Sequence, residues 1–237
     1  MCKIIALLLH RTVYTGAVNA VQHPGFYPPA EERINIISHV LGLLFSAVGV
    51  VFLLVKAAAL DSTVHIVSAA VFGFSLVALY TASSVYHSAM DPTRRKALRT
   101  LDHAAIYVLI AGTYTPFTLI TLEGPLGWAI FGLAWGMALT GITLKLLFTG
   151  RFERLSTSMY VFMGWMMVFA IKPLIENFAP DGMAWLIAGG ICYTVGALLY
   201  SIKKMPFGHA AFHILVLLGS ACHFVAVYFF VLAPSNS

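Results

Sequence analysis

The chain has 237 residues, 60% of them hydrophobic and only 10% charged, with a net charge of +5. A soluble domain carries charge on roughly a quarter of its residues, so this deficit, with a mean hydropathy of +0.89, excludes an ordinary soluble fold. The basic residues sit in short loops without interleaved aromatics, which reads as topology signal and not as a nucleic-acid surface.

Residues 1–33 read as a cytoplasmic tail. The opening MCKIIALLLHRTVY is short for a signal peptide and has no small-residue cleavage site after it; an interfacial helix is expected near its start. HPGFYPP then breaks any helix. Apolar runs of spanning length follow at 35–59, 64–88, 101–122, 126–148, 155–176, 183–203 and 208–232. They are separated by polar punctuation such as DPTRRKALRT, EGP and KKMPFG, and none alternates as a membrane barrel strand would. The expected fold is all-α: a seven-helix transmembrane bundle over 34–233, ending in a short external tail at 234–237. The short loops make sequence neighbours antiparallel. With the N-terminus inside, twelve of the fourteen Lys and Arg face the cytoplasm and only Lys56 and Lys172 fall outside, so the C-terminus is external. The expected location is the cell (inner) membrane.

Several intramembrane residues read as packing. Cys192 and Cys222 lie in apolar segments, Cys2 in the tail, and no CxxC pair implies a disulfide or metal motif. Gly132 and Gly136 form a GxxxG in the fourth span, expected to mark a close helix contact. Pro116 should kink the third helix, with Thr113 and Thr115 available to the freed carbonyls. The four tryptophans fit interfacial or packing positions.

The polar residues left over fall at one depth. His87 ends the second span, Asp102 lies one turn into the third, and His209 with His213 open the seventh. Alternating helix directions bring all four to the inner-leaflet level. His209 and His213, at i and i+4, share a helix face and can bind one metal; Ser83 and His87 have the same spacing. Three imidazoles beside a carboxylate suit a catalytic zinc with one position open to water. Singly, each residue also fits an ordinary role: His87 at a helix C-terminus, Asp102 in a first turn capped by Thr100. Their agreement in depth is what favours a site. His39 and Asn35, one turn apart in the first span, are candidates to support the ligands from behind. His103 points about 100° away from Asp102. His223 lies ten residues, ~15 Å, beyond His213 and is expected to make a helix–helix hydrogen bond. His65 and Glu123 belong to the opposite side.

EERINIISHVLG, SSVYHS, LRTLDHAAIYVLIAGTYTPF, LKLLFTGRFERLSTSMYVFMGWM and MPFGHAAFHILVLLGSACHFVAVYFF together resemble the bacterial hemolysin III family. That family belongs to the progestin and adiponectin Q receptor superfamily, distantly similar to alkaline ceramidases. The resemblance spans roughly residues 31–232. It implies a zinc site near the cytoplasmic face, with His87, His209 and His213 as ligands, Asp102 holding the water at the open position and Ser83 close by. The large domain through which animal receptors bind protein hormones has no counterpart here.

The leading expectation is therefore a zinc-dependent hydrolase acting on a lipid amide or ester, with membrane lipid as its partner. In this role Asp102 and Ser83 are the catalytic candidates. The alternatives are a non-catalytic metal-binding regulator or receptor-like sensor of lipid state, and a pore-forming cytolysin. The last sits poorly with seven spans that water cannot solvate. Neither the lipid nor the oligomeric state is legible in these motifs.

Overall fold

The computed structural model describes residues 26–148, 153–202 and 205–233. Among them are seven helices long and apolar enough to cross a membrane, and the protein is a multi-pass membrane protein. Helix α1 is Pro29–Ala58, α2 Thr63–Ser88, and α3 Pro92–Pro116 with a π-helical turn over Phe117–Thr121. Helix α4 is Gly124–Leu147. Helix α5 runs Glu153–Trp165, tightens to a 3-10 stretch at Met166–Ala170 and resumes over Ile171–Asn177. Helix α6 is Pro180–Ser201, and α7 is Gly208–Ala226 with a π-helical end at Val227–Val231. The interfacial helix expected near residue 1 and the tail at 234–237 lie outside the described residues.

Two helices begin well before their apolar runs. Helix α1 starts at Pro29, so Glu31 and Glu32 form its first turn and are not part of a tail. Proline suits the first helical position, where no amide partner exists anyway, and acids suit the positive end of the helix dipole. Helix α3 starts at Pro92, where Asp91 accepts a hydrogen bond from the Arg94 amide at 2.8 Å. Hydropathy reports where hydrocarbon begins; caps report where the helix begins.

Successive helices α1, α2 and α3 pack side by side, α6 packs on α7, and α7 returns to α1, closing that side of the bundle. Helix α5 touches its neighbours only sparsely. The largest apolar core gathers Leu53 and Ala57 from the end of α1, Phe72 from the start of α2, Phe117 past the end of α3, and Leu174, Phe178 and Leu232. These positions lie away from the α2–α3 loop. The polar residues sit nearer that loop, which we use to name the site's face.

Two packing expectations change. Gly132 and Gly136 are exposed, and a Cβ on either would meet nothing within 4 Å, so this pair makes no close contact among the described residues. Close approaches occur instead at Gly42 against the Tyr80 ring and Gly141 against the Tyr107 ring. At Pro116 the winding widens into the π turn. Thr113 and Thr115 do bond back to carbonyls, at 2.8 and 2.9 Å, but to those of Leu109 and Ala111. Neither reaches Gly112, the carbonyl that a proline at 116 leaves without its helical donor.

Candidate metal centre

His87, in the last turn of α2, and His209 and His213, in the first two turns of α7, meet at the α2–α3 face. All three are buried, with one ligand nitrogen from each lying within 4.8 Å of the others. His209 Nε2 stands 3.2 Å from His87 Nε2 and 3.0 Å from His213 Nε2. Tetrahedral ligands at ~2.0–2.1 Å from one zinc stand about 3.3 Å apart, so the spacing fits that ion.

The partners on the far side of two rings decide what faces inward. His87 Nδ1 lies 3.2 Å from Glu32 Oε2, and His213 Nδ1 lies 3.4 Å from the Asn35 carbonyl. Both partners only accept, so each Nδ1 carries a proton, and in the tautomer that metal binding requires each Nε2 presents a lone pair. His209 Nε2 sits between these lone pairs and has at most one hydrogen to give. The protein alone leaves at least one pair of electron-rich nitrogens in opposition. A cation among them removes the conflict, and imidazoles backed by a carboxylate or carbonyl are the usual arrangement of metal-binding histidines.

The first turn of α1 ties these helices together. Glu31, buried, accepts from the His209 and Ala210 amides at 3.1 and 3.4 Å, capping α7 at a helix end whose own N-cap, Phe207, supplies no side-chain bond. Glu32 bonds both His87 and Arg95. Arg95, itself buried, also donates to the carbonyls of Tyr86, His87 and Ala89 at 3.3, 3.2 and 3.0 Å, adding donors to the acceptors at the end of α2. Phe26 stacks on the Arg95 guanidinium and Tyr27 on His209, the latter at 4.2 Å and 11°. Burial pushes the Tyr27 phenol well above its ordinary pKa, so it covers the cluster as a neutral ring. Adjacent acids thus hold α2 and α7, the two helices that carry the three histidines, in register.

The remaining candidates surround this centre. Asn35 supplies its carbonyl to His213 and donates its amide to Glu32 Oε2 at 3.3 Å. His39 stacks on His213, centroids 3.7 Å apart, with neither ring nitrogen hydrogen-bonded. Asp102 is buried, outside the nitrogen triangle but near enough to feel His87 and Arg95, with Ser83 beside it. Ser83 Oγ makes no hydrogen bond of sound geometry. His103 approaches Lys145 Nζ at 3.5 Å and does not join the cluster. His223 Nδ1 has no hydrogen-bond partner, and the ring meets α6 by stacking on Tyr193.

A cavity of about 210 Å³ opens beside the cluster, with His39, Ser83, Asp102, His209 and His213 in its wall. Trp165, Val168 and Ile171 of α5 and Ile187 of α6 line it too, yet each is at least 40% exposed on the outer surface. The cavity therefore reaches the lipid-facing exterior between α5 and α6, where packing is sparse.

Glu31, Glu32, Arg95 and Tyr27 were absent from the sequence-based site. Their signal was present: PP followed by acids marks a helix start, and DP at 91–92 marks another. Only the fold shows that these two starts meet over His87.

Fold and site define a seven-helix membrane protein with a buried three-histidine centre at one end. The chain belongs to the haemolysin-III family, whose model, described as Haemolysin-III related, matches residues 28–224 and so takes in both glutamates. It is 45% identical over 206 residues to Hemolysin-3 of Bacillus cereus, covering 87% of this chain and 94% of that protein. It is 46% identical over 200 residues to the Hemolysin-3 homolog of Bacillus subtilis, covering 84% and 94%. A more distant similarity, 27% over 170 residues and 68% and 69% of the two chains, relates it to the human Monocyte to macrophage differentiation factor.

Proposed function

We propose that this protein is a zinc-dependent hydrolase of a lipid amide or ester, with the α2–α3 face in the cytoplasm and the site near the inner leaflet of the cell membrane. One observation carries the reading: inward-facing imidazole nitrogens and a buried acid share the wall of a cavity that reaches the lipid-facing surface. Zinc held by His87, His209 and His213 supplies Lewis acidity and activates water there. Asp102 accepts the proton of the attacking water and returns it to the leaving nitrogen or oxygen as the carbon–heteroatom bond breaks. Ser83 Oγ, beside Asp102 in the cavity wall, donates to the carbonyl oxygen as negative charge builds. Apolar walls and exclusion of water strengthen both contacts. The excess of Lys and Arg on the loops of that face supports the orientation.

The test uses purified full-length protein, zinc and mixed membrane lipids, with fatty-acid release followed by mass spectrometry. Release should stop with a chelator and return with zinc. Asp102→Asn should retain the metal and lose turnover. Release that ignores both treatments removes the centre from the chemistry. Tight zinc binding without release of any lipid product favours a metal-stapled regulator. Dye leakage from protein-loaded liposomes would restore the pore-forming alternative.

A further inference from the structure

The same cavity carries a second polar station, deeper in the bundle. His223 follows His213 by ten residues on α7, ~15 Å along the axis, and also lines the cavity. It is 5% exposed, and its Nδ1 has no hydrogen-bond partner. Its ring stacks on Tyr193 at 5.2 Å, while Tyr193 and Tyr80 both bond Ser220 Oγ, at 2.9 and 2.8 Å. The phenols are thus satisfied and the imidazole Nδ1 is not.

Room for these rings is built into the backbone. Gly42 faces Tyr80, Gly219 faces Tyr193 and Gly189 faces His223, where an added Cβ would come within 2.7 Å of Nε2. A ring of aliphatic residues would fill this space without polar atoms. An imidazole with an unpaired nitrogen, far from any loop, finds no bulk water to relieve it. Between the metal centre and His223 the lining includes Leu79, Ile106, Leu109 and Val216, and the hydroxyls at that level, on Tyr193 and Thr194, are already hydrogen-bonded, to Ser220 Oγ and the Gly190 carbonyl.

A cavity polar at one end, apolar along its length and polar again at a fixed depth matches a chain with a hydrogen-bonding group partway along it. We propose that His223 is a specificity subsite for a lipid whose hydrocarbon chain bears a hydroxyl or keto oxygen near its middle. This rests on the reading of the cavity as the lipid site, though not on turnover.

Binding to the full-length zinc-loaded protein in nanodiscs tests it, by competition against a fluorescent fatty acid. The probes are octadecanoate and its hydroxylated forms, with the hydroxyl near the carboxylate, at mid-chain or at the tail. The mid-chain probe should bind about tenfold tighter than octadecanoate, the worth of one buried hydrogen bond, and the other positions should gain little. His223→Phe should bind every probe as wild type binds octadecanoate, and without ligand it should melt no lower than wild type. A flat positional profile in wild type overturns the subsite while leaving the lipid cavity standing, and so does a ligand-free His223→Phe that melts lower, since the ring is then structural. If no probe displaces the fluorescent lipid, the cavity reading fails as well.

Discussion

Helix α7 places the same residue type in two settings. In its first turns His213 has a carbonyl behind it and a neighbouring nitrogen before it, and His209 joins it from a helix end capped by Glu31. Near its other end His223 is equally buried, but stacked on a tyrosine with Nδ1 unpartnered. Residue type and burial do not distinguish them. What differs is convergence: α1 and α2 bring acids and a third imidazole to the first pair, whereas the deeper ring faces only packing and cavity. A metal centre is made by the partners behind the ligands as much as by the ligands.

The sharpest way to break this contrast is to remove a converging ligand. His213→Ala should abolish stoichiometric zinc in the purified protein, measured by mass spectrometry, whereas His223→Ala should leave zinc content unchanged. Equal zinc loss in both would erase the distinction. Next in size is Asp102→Asn, expected to lower lipid turnover by about 10²–10⁴-fold at unchanged zinc content, as loss of a general base does. Glu32→Gln probes the support behind His87. It should weaken zinc affinity about 10–100-fold by chelator competition, because an amide can offer its NH₂ to the ring and loosens the tie to Arg95. Undiminished affinity would show that Glu32 holds only the helices. The smallest effect concerns the packing that admits the deeper rings. Gly42→Ala pushes a methyl into the Tyr80 ring and should destabilise by about 1–3 kcal/mol, seen as a lower melting temperature in detergent with zinc affinity retained.

Much of the architecture was legible beforehand because hydrocarbon imposes a plain rule: spans of apolar residues, all helical. The seven runs overlap the seven helices. Their starts were less legible, since a helix continues past the membrane wherever caps and dipoles favour it. Pro29 and Pro92 therefore begin α1 and α3 ahead of the apolar residues. That offset hid Glu31, Glu32 and Arg95, which lie in polar turns that hydropathy discards. The convergence of His87, His209 and His213 was visible because spacing and depth follow from helix geometry and alternating helix direction. The GxxxG at Gly132 carried no such information, because small residues also face lipid.

The amino-acid order by itself determined the membrane class, the number of spans and the shared level of the three histidines, all of which follow from local helix geometry and from the solvent. Tertiary structure alone decided which atoms face each other: that Glu32 stands behind His87, that two lone pairs oppose across His209, and that His223 looks into the cavity of the metal centre. Those are relations between helices far apart in sequence, set by side-chain packing, and no periodicity along a single helix encodes them.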